Sequence, residues 1–408
     1  MSSLQESTTV AGIPGAPDQG SFRSTNLIQF LMITSCPAFV RRLTCAALLS
    51  VVPLAPSTLV QAQPIMIDGR VKISSNENVW GFSPKALERV TAELASGNYY
   101  NRDEIAEFIK LCAAYNGVKE NYIMATAGSG PLLSLTALAY AKPGKNVVTT
   151  AMGYTSLVNR FEQRGGNVKF APLGPDMGYD FKALAREIDE NTVIVYICNP
   201  NNPTGTLADP GELRRFIMSV RSDILVFVDE AYLEIADSGL KANTMVPLAN
   251  VRKNLLVTRT FSKGHGMAGL RFGYGVGHPE VLDKLSEYST SGPSFLAAIA
   301  AQEALKDEAH LEMNRKNYSE VRKYVCDEFA RMGINYVKNP QGAFIYFHAG
   351  IPGSELNAKM RDANIQIGNT RESGVPEGTY RDWCRVSIGT KEQMDLFLGE
   401  LAKILGKT

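Results

Sequence analysis

Thr260-Phe-Ser-Lys-Gly-His-Gly-Met-Ala-Gly-Leu-Arg271 is the stretch on which the reading of this chain turns. A continuous apolar run, Leu255 to Thr260, leads into it, and another, Phe272 to Val276, leads out. Runs without alternation suit strands buried on both faces. Lys263 therefore falls in a glycine-rich loop just past a strand end, and in an open α/β sheet the loops beyond the carboxyl ends of the strands form the ligand crevice.

The same arrangement recurs upstream. Asp229 closes the run Leu225 to Asp229 and opens Asp229-Glu-Ala-Tyr232, while Asn202, within Asn199-Pro-Asn-Asn-Pro-Thr-Gly205, follows Val193 to Cys198. Val147 to Thr150 is a further run of this kind. Residues distant in sequence can thus converge on one crevice. Ala127-Gly-Ser-Gly130 lies between a strand candidate, Tyr122 to Thr126, and a helix candidate, so its N–H groups can cradle an anion at a helix N-terminus, although Pro131 supplies no donor.

Helix candidates separate several of the runs. Arg102 to Tyr115 puts Ile105, Phe108, Ile109 and Cys112 on one face, and Asp209 is an N-cap type with Pro210 at the first helical position. Strands alternating with amphipathic helices predict an α/β fold, a mainly parallel sheet covered by helices on both faces. Past Ser294 the character shifts to longer charged helices (Phe295 to Met332), a strand at Ala343 to Phe347 and a closing helix from Thr390, which predicts a second, smaller α+β domain. The expected partition is a tail at 1–63, an N-terminal part of the small domain at 64–95, a large domain at 96–293 and the rest of the small domain at 294–408.

Composition narrows the function. Lys and Arg number 42 against 41 Asp and Glu, so no positive excess drives binding to nucleic acid or anionic lipid. Six cysteines (36, 45, 112, 198, 326, 384) form no C-x-x-C pair, and four histidines have no ligand-like neighbours, so a metal is not expected and buried thiols are.

The N-terminal region differs in kind. Met1 to about Asn26 is rich in Ser, Thr, Gly and Pro without apolar period and reads as disordered. Arg41-Arg42 then precede an apolar stretch, Leu43 to Val60, broken by Pro53 and Pro56 and ended by Val60-Gln61-Ala62. This is the pattern of a secretory signal rather than of a spanning helix, which needs about 20 unbroken apolar residues. An exported, periplasmic protein with no stable membrane anchor is the expectation, a start at Met32 would give the signal ordinary length, and the arginine pair faintly resembles a twin-arginine signal. A cytoplasmic location is the alternative.

From about Ile73 to the C-terminus, the order, spacing and strand-end placement of these motifs resemble the class I/II (fold-type I) aminotransferases, which use pyridoxal 5'-phosphate. Within that group the likeness is to the histidinol-phosphate aminotransferases, carried also by Ser75-Asn-Glu-Asn78, by Tyr100 ahead of a helix and by Arg385-Val-Ser-Ile-Gly-Thr390. The resemblance implies that Lys263 carries the cofactor and shuttles the proton, that Asp229 keeps the pyridine nitrogen protonated, and that Tyr232 and Asn202 bond its phenolate oxygen. It assigns the phosphate to Gly128, Ser129, Gly130, Thr260, Ser262 and Arg271, ring stacking to Tyr154, and a reach into the neighbouring subunit of a homodimer to Tyr100. Arg385 is similar to the arginine that binds the substrate carboxylate, and Asn78 and Trp80 to residues lining the substrate pocket. Relatives usually place an acidic pair at Gly130-Pro131 and Pro-x at Val79-Trp80, so the chain departs from the pattern at both.

The implied reaction moves an amino group between an L-amino acid, histidinol phosphate or an aromatic amino acid among them, and a 2-oxo acid. A decarboxylase or β-eliminating lyase on the same scaffold, and a protein that holds the cofactor or an amino acid without turnover, are the alternatives left open by the motifs.

Overall fold

The computed structural model describes residues 66–368 and 372–407. The expected tail and signal segment at 1–63, with Cys36 and Cys45, lies outside the described residues. A short strand, β1 (Val71–Ile73), comes first. Seven strands follow: β2 (Ile123–Thr126), β3 (Asn146–Thr150), β4 (Asn167–Ala171), β5 (Thr192–Cys198), β6 (Leu225–Asp229), β7 (Leu255–Thr260) and β8 (Gly273–Gly277). They form one sheet in the order β2-β8-β7-β6-β5-β3-β4, parallel except for β8, which runs antiparallel to both its neighbours. The chain closes with β9 (Asn335–Tyr336), β10 (Phe344–His348), β11 (Ile365–Ile367) and β12 (Trp383–Ser387).

Alternation along each central strand sends side chains to two different cores. Val226 and Val228 of β6, with Val195 and Ile197 of β5, join one, while Leu225, Phe227, Ile194 and Tyr196 join the other. Successive side chains point to opposite faces, so a strand between two helical layers must be apolar throughout. The first core is roofed by helices Pro84–Glu93, Asp103–Asn116, Pro210–Ser219 and Phe295–Lys306, and the second by Gly130–Tyr140, Ser156–Gln163 and Pro279–Ser286.

Local signals set several boundaries. Asp209 accepts from Glu212 N (2.8 Å) and starts its helix with Pro210 behind it, and Thr390 and Gln393 form a reciprocal cap at the closing helix, Lys391–Leu405.

A third core gathers Val71 and Ile73 of β1, Phe344, Ile345 and Phe347 of β10, Val386 of β12, and the helices Glu308–Arg331 and Lys391–Leu405. Here β12, β10 and β9 make an antiparallel sheet, and β1 pairs in parallel with β11.

The expected partition shifts at two places. Ala86 and Val90, within 64–95, pack in the core of the large sheet, as do Ala297 to Ala301 and Ala304, within 294–408. Both helices lie on the large sheet because their apolar faces meet each other as well as the strands. The stretch Phe295 to Met332 breaks at Asp307, whose carboxylate accepts from Ser83 Oγ (2.5 Å) and Lys85 Nζ (3.2 Å), and only the helix beyond it joins the small core.

Candidate active site

The crevice opens at the carboxyl ends of the central strands, where β5, β6 and β7 end on Cys198, Asp229 and Thr260. It is a cleft of about 380 Å³ whose wall includes Asp229, Tyr232, Asn202, Lys263, Arg271 and Arg385. Ser129, Gly130, Tyr154, Thr260 and Ser262, also expected from the sequence, line it too.

Lys263 heads the loop after β7. Its amine donates to the carbonyls of Ser75 (3.3 Å) and Asn76 (3.0 Å). Desolvation in the cleft, followed by the positive charge of Arg385, lowers its pKa to about 8. About a tenth of such amines are neutral at pH 7, against roughly one in three thousand for an ordinary lysine, so the side chain is poised as a nucleophile and base. The loop is gripped from behind: Asn78 Nδ2 donates to the carbonyls of Lys263 and Gly264, both at 3.1 Å, and Asn314 Nδ2 to that of Gly264 at 2.9 Å. Gly266 takes φ +70° against the Gly81 carbonyl, where any Cβ would collide.

Asp229 lies on the floor, 2% exposed. Its Oδ1 accepts from Ala231 N (3.2 Å) and Thr258 Oγ1 (3.3 Å), and burial outweighs those bonds to raise its pKa to about 6. At neutral pH the cleft therefore has a carboxylate at its base that is short of a cationic partner.

Tyr232, buried and edge-on to Phe344, accepts from Asn76 Nδ2 (2.9 Å) and Asn202 Nδ2 (3.4 Å). Burial pushes its phenol above the ordinary range, so it keeps its proton. Asn202 Oδ1 in turn accepts from Arg385 Nη1 at 2.9 Å, and Arg385 Nη2 donates to the Ser74 carbonyl at 2.8 Å.

At the other end Ser129 and Gly130 start the helix after β2, and Arg271 stands just before β8 at a φ of 58°. The Arg271 guanidinium donates to Ser262 Oγ (3.3 Å) and to the carbonyls of Ala268 (3.1 Å) and Ala127 (3.4 Å), and no carboxylate pairs with it among the described residues. Thr260 Oγ1 bonds Ser262 Oγ at 2.9 Å. Gly128, at φ +85°, leaves the room: a Cβ there would stand 2.5 Å from Arg271 Nη2. An unneutralised guanidinium, two hydroxyls and a helix N-terminus make an anion pocket.

The two residues expected at the substrate, Asn78 and Trp80, do not line the cleft. Asn78 spends its amide on the backbone behind Lys263, and Trp80 packs edge-on to Tyr318, ring centroids 4.8 Å apart, beside the small core. The turn at Asn76, φ 56°, presents Ser75, Asn76 and Glu77 to the cleft instead. Asn76 was missed because two asparagines stand two apart in Ser75-Asn-Glu-Asn78, and only the left-handed backbone decides which one faces inward. Tyr100 is 97% exposed, outside the cleft of its own chain.

Amine, buried acid and anion pocket in one cleft suit pyridoxal phosphate: Lys263 could take its aldehyde, Asp229 its ring nitrogen, and Arg271 with its neighbours its phosphate. A family model described as aminotransferase class I and II matches residues 72–401. Histidinol-phosphate aminotransferase 2 of Carboxydothermus hydrogenoformans is 32% identical over 336 residues, covering 82% of this chain and 91% of its own. The enzyme of that name from Methylococcus capsulatus is 33% identical over 344 residues, covering 82% and 90%. Among solved structures, histidinol-phosphate aminotransferase from Sinorhizobium meliloti, in complex with pyridoxal-5'-phosphate, shares the fold with a TM-score of 0.74, covering 82% of this chain and 90% of that one at 24% identity.

Proposed function

Because the chain belongs to the class I and II aminotransferases and is thus a pyridoxal-phosphate enzyme that moves an amino group between an amino acid and a 2-oxo acid, we propose that Lys263, Asp229, Tyr232 and Arg385 carry that transfer. When bound, the cofactor supplies an electron sink for the charge left on the substrate carbon. Lys263 Nζ takes the proton from that carbon and returns it, a task suited to an amine with a pKa of about 8. Asp229 holds a proton on the ring nitrogen by its charge. Arg385 grips the anionic group of the donor, with Asn202 and Ser74 fixing the guanidinium. Thr260, Ser262, Arg271 and the N–H groups after Gly128 hold the phosphate, and Tyr154 covers the ring.

The observation that carries this reading is the meeting of Lys263, Asp229 and Arg271 in one cleft. Its test is the absorbance of the purified cofactor-bound protein against a panel of amino donors: conversion to the pyridoxamine form in wild type and none in Lys263→Ala supports it, and equal behaviour of the two would end it.

The donor is proposed to be histidinol phosphate or an aromatic amino acid. The names of the relatives favour the first, and Arg385 suits a carboxylate or a phosphate ester alike. The active form is proposed to be a homodimer in which Tyr100 reaches the partner's phosphate, supported by its exposure; sedimentation of the holoenzyme and the cofactor affinity of Tyr100→Phe test this. Export rests on Arg41-Arg42 and the apolar stretch after them, and sequencing the mature N-terminus tests it.

A further inference from the structure

We infer that Asn76 is a positioning residue for the transfer: it fixes Tyr232 as a hydrogen-bond donor into the cleft. This rests on the reading of Tyr232 as the tyrosine that faces the cofactor's ring oxygen.

A phenol oxygen has two lone pairs and one proton. Both lone pairs of Tyr232 are taken, by Asn76 Nδ2 at 2.9 Å and Asn202 Nδ2 at 3.4 Å. Each amide oxygen has a donor of its own. Asn202 Oδ1 faces Arg385 Nη1, and a guanidinium can only donate. Asn76 Oδ1 accepts from Ser387 Oγ at 2.8 Å, and that oxygen accepts from Asn76 N at 2.9 Å. The Tyr232 proton has no acceptor among the described residues, and the ring lines the cleft. It is left to point inward.

Asn76 is built for this place. It is 2% exposed and left-handed at φ 56°, a conformation asparagine tolerates better than most residues, and its carbonyl accepts from the Lys263 amine at 3.0 Å. One residue thus touches Tyr232, Lys263 and, through Ser387, the strand that carries Arg385. Donation to the phenol oxygen also makes the phenol a stronger donor in its turn, since bonds in a chain polarise one another.

A donor at the cofactor's ring oxygen favours the negative form of that oxygen, and so lowers the pH at which the bound cofactor loses its proton. Three holoenzyme variants, titrated by the absorbance of the bound cofactor, test the inference. Tyr232→Phe removes the donor and sets the reference. Asn76→Asp keeps size and backbone but can only accept, drawing the phenol proton away from the cleft. Asn76→Gly removes the amide while keeping the left-handed turn, so a folding defect in one variant leaves the other to decide.

The expected result is an upward shift of the absorbance midpoint in both Asn76 variants, about one pH unit for Asn76→Asp and about half that for Asn76→Gly, in the direction of Tyr232→Phe. Turnover should fall roughly tenfold in Asn76→Asp with KM changed less than about threefold, and the Asn76→Asp, Tyr232→Phe double variant should shift no further than Tyr232→Phe alone. Midpoints in both Asn76 variants within about 0.2 units of wild type, beside a clear shift in Tyr232→Phe, would overturn the inference, as would additive shifts in the double variant. An unmoved midpoint in Tyr232→Phe itself would instead overturn the assignment of Tyr232, and the inference with it.

Discussion

Arg385 Nη1 lies 2.9 Å from Asn202 Oδ1, and its Nη2 lies 2.8 Å from the Ser74 carbonyl, so the guanidinium is docked across the cleft before any substrate arrives. A preset fork loses less freedom on binding a planar anion than a mobile one. Arg385→Lys keeps a charge but cannot hold Asn202, Ser74 and a bidentate substrate together, and kcat/KM is expected to fall about a hundredfold, mostly through KM. Asn202→Ala, which loosens the fork and removes one bond to Tyr232 but leaves the guanidinium in place, should cost less, about tenfold. Steady-state kinetics with one donor at saturating cofactor separates the two. An Arg385→Lys enzyme of unchanged KM would place substrate binding elsewhere.

The lowered pKa of Lys263 predicts a pH dependence of cofactor capture. Only the neutral amine attacks an aldehyde, and with a pKa of about 8 its neutral fraction rises about tenfold from pH 7 to 9 and then levels off. Stopped-flow absorbance of the cofactor-free protein mixed with pyridoxal phosphate should trace that curve. A rate still climbing tenfold per unit beyond pH 9 would mean an ordinary lysine.

What the residues alone revealed follows burial. β6 and β7 were readable to their terminal residues because both faces are covered, which leaves an unbroken apolar run ended by a polar residue that faces the crevice, Asp229 or Thr260. The break at Asp307 was not, since the groups that satisfy its carboxylate, Ser83 and Lys85, lie more than two hundred residues away in the chain. The same holds for Phe295–Lys306: its alanine-rich surface is apolar nearly all round, and only its packing on Pro84–Glu93 shows which domain it serves. In the site, strand-end residues were legible because topology delivers them. Asn76 and Asn78 were not told apart, because a single positive φ reverses which side chain meets the cleft.

Gly128 offers a test of the anion pocket that removes none of its polar side chains. At φ +85°, with Arg271 Nη2 2.5 Å from where a Cβ would stand, Gly128→Ala strains the turn and pushes the guanidinium aside. The expected outcome is a loss of cofactor affinity of about a hundredfold, with turnover largely restored when pyridoxal phosphate is supplied in excess. Equilibrium dialysis against the cofactor measures the first part, and an unchanged affinity would place the phosphate away from Arg271.

Asp229 sets catalysis against stability. Its carboxyl has an ordinary value of 3.8 and a folded value of about 6, so between those pH values the folded chain binds more protons than the unfolded one, and stability falls as pH rises through the window. Above about pH 6 the loss is complete, with an upper limit of about 3 kcal/mol for a shift of this size. Asn cannot ionise and can still accept from Ala231 N and Thr258 Oγ1. Cofactor-free Asp229→Asn should therefore resist urea better than wild type at pH 8, by up to that amount, and match it near pH 4, while its transaminase activity falls severely. Urea midpoints at the two pH values decide the matter. A variant less stable than wild type at pH 8 would show that the carboxylate is compensated in the empty cleft, and the case for a cationic ring nitrogen as its partner would lose its electrostatic basis.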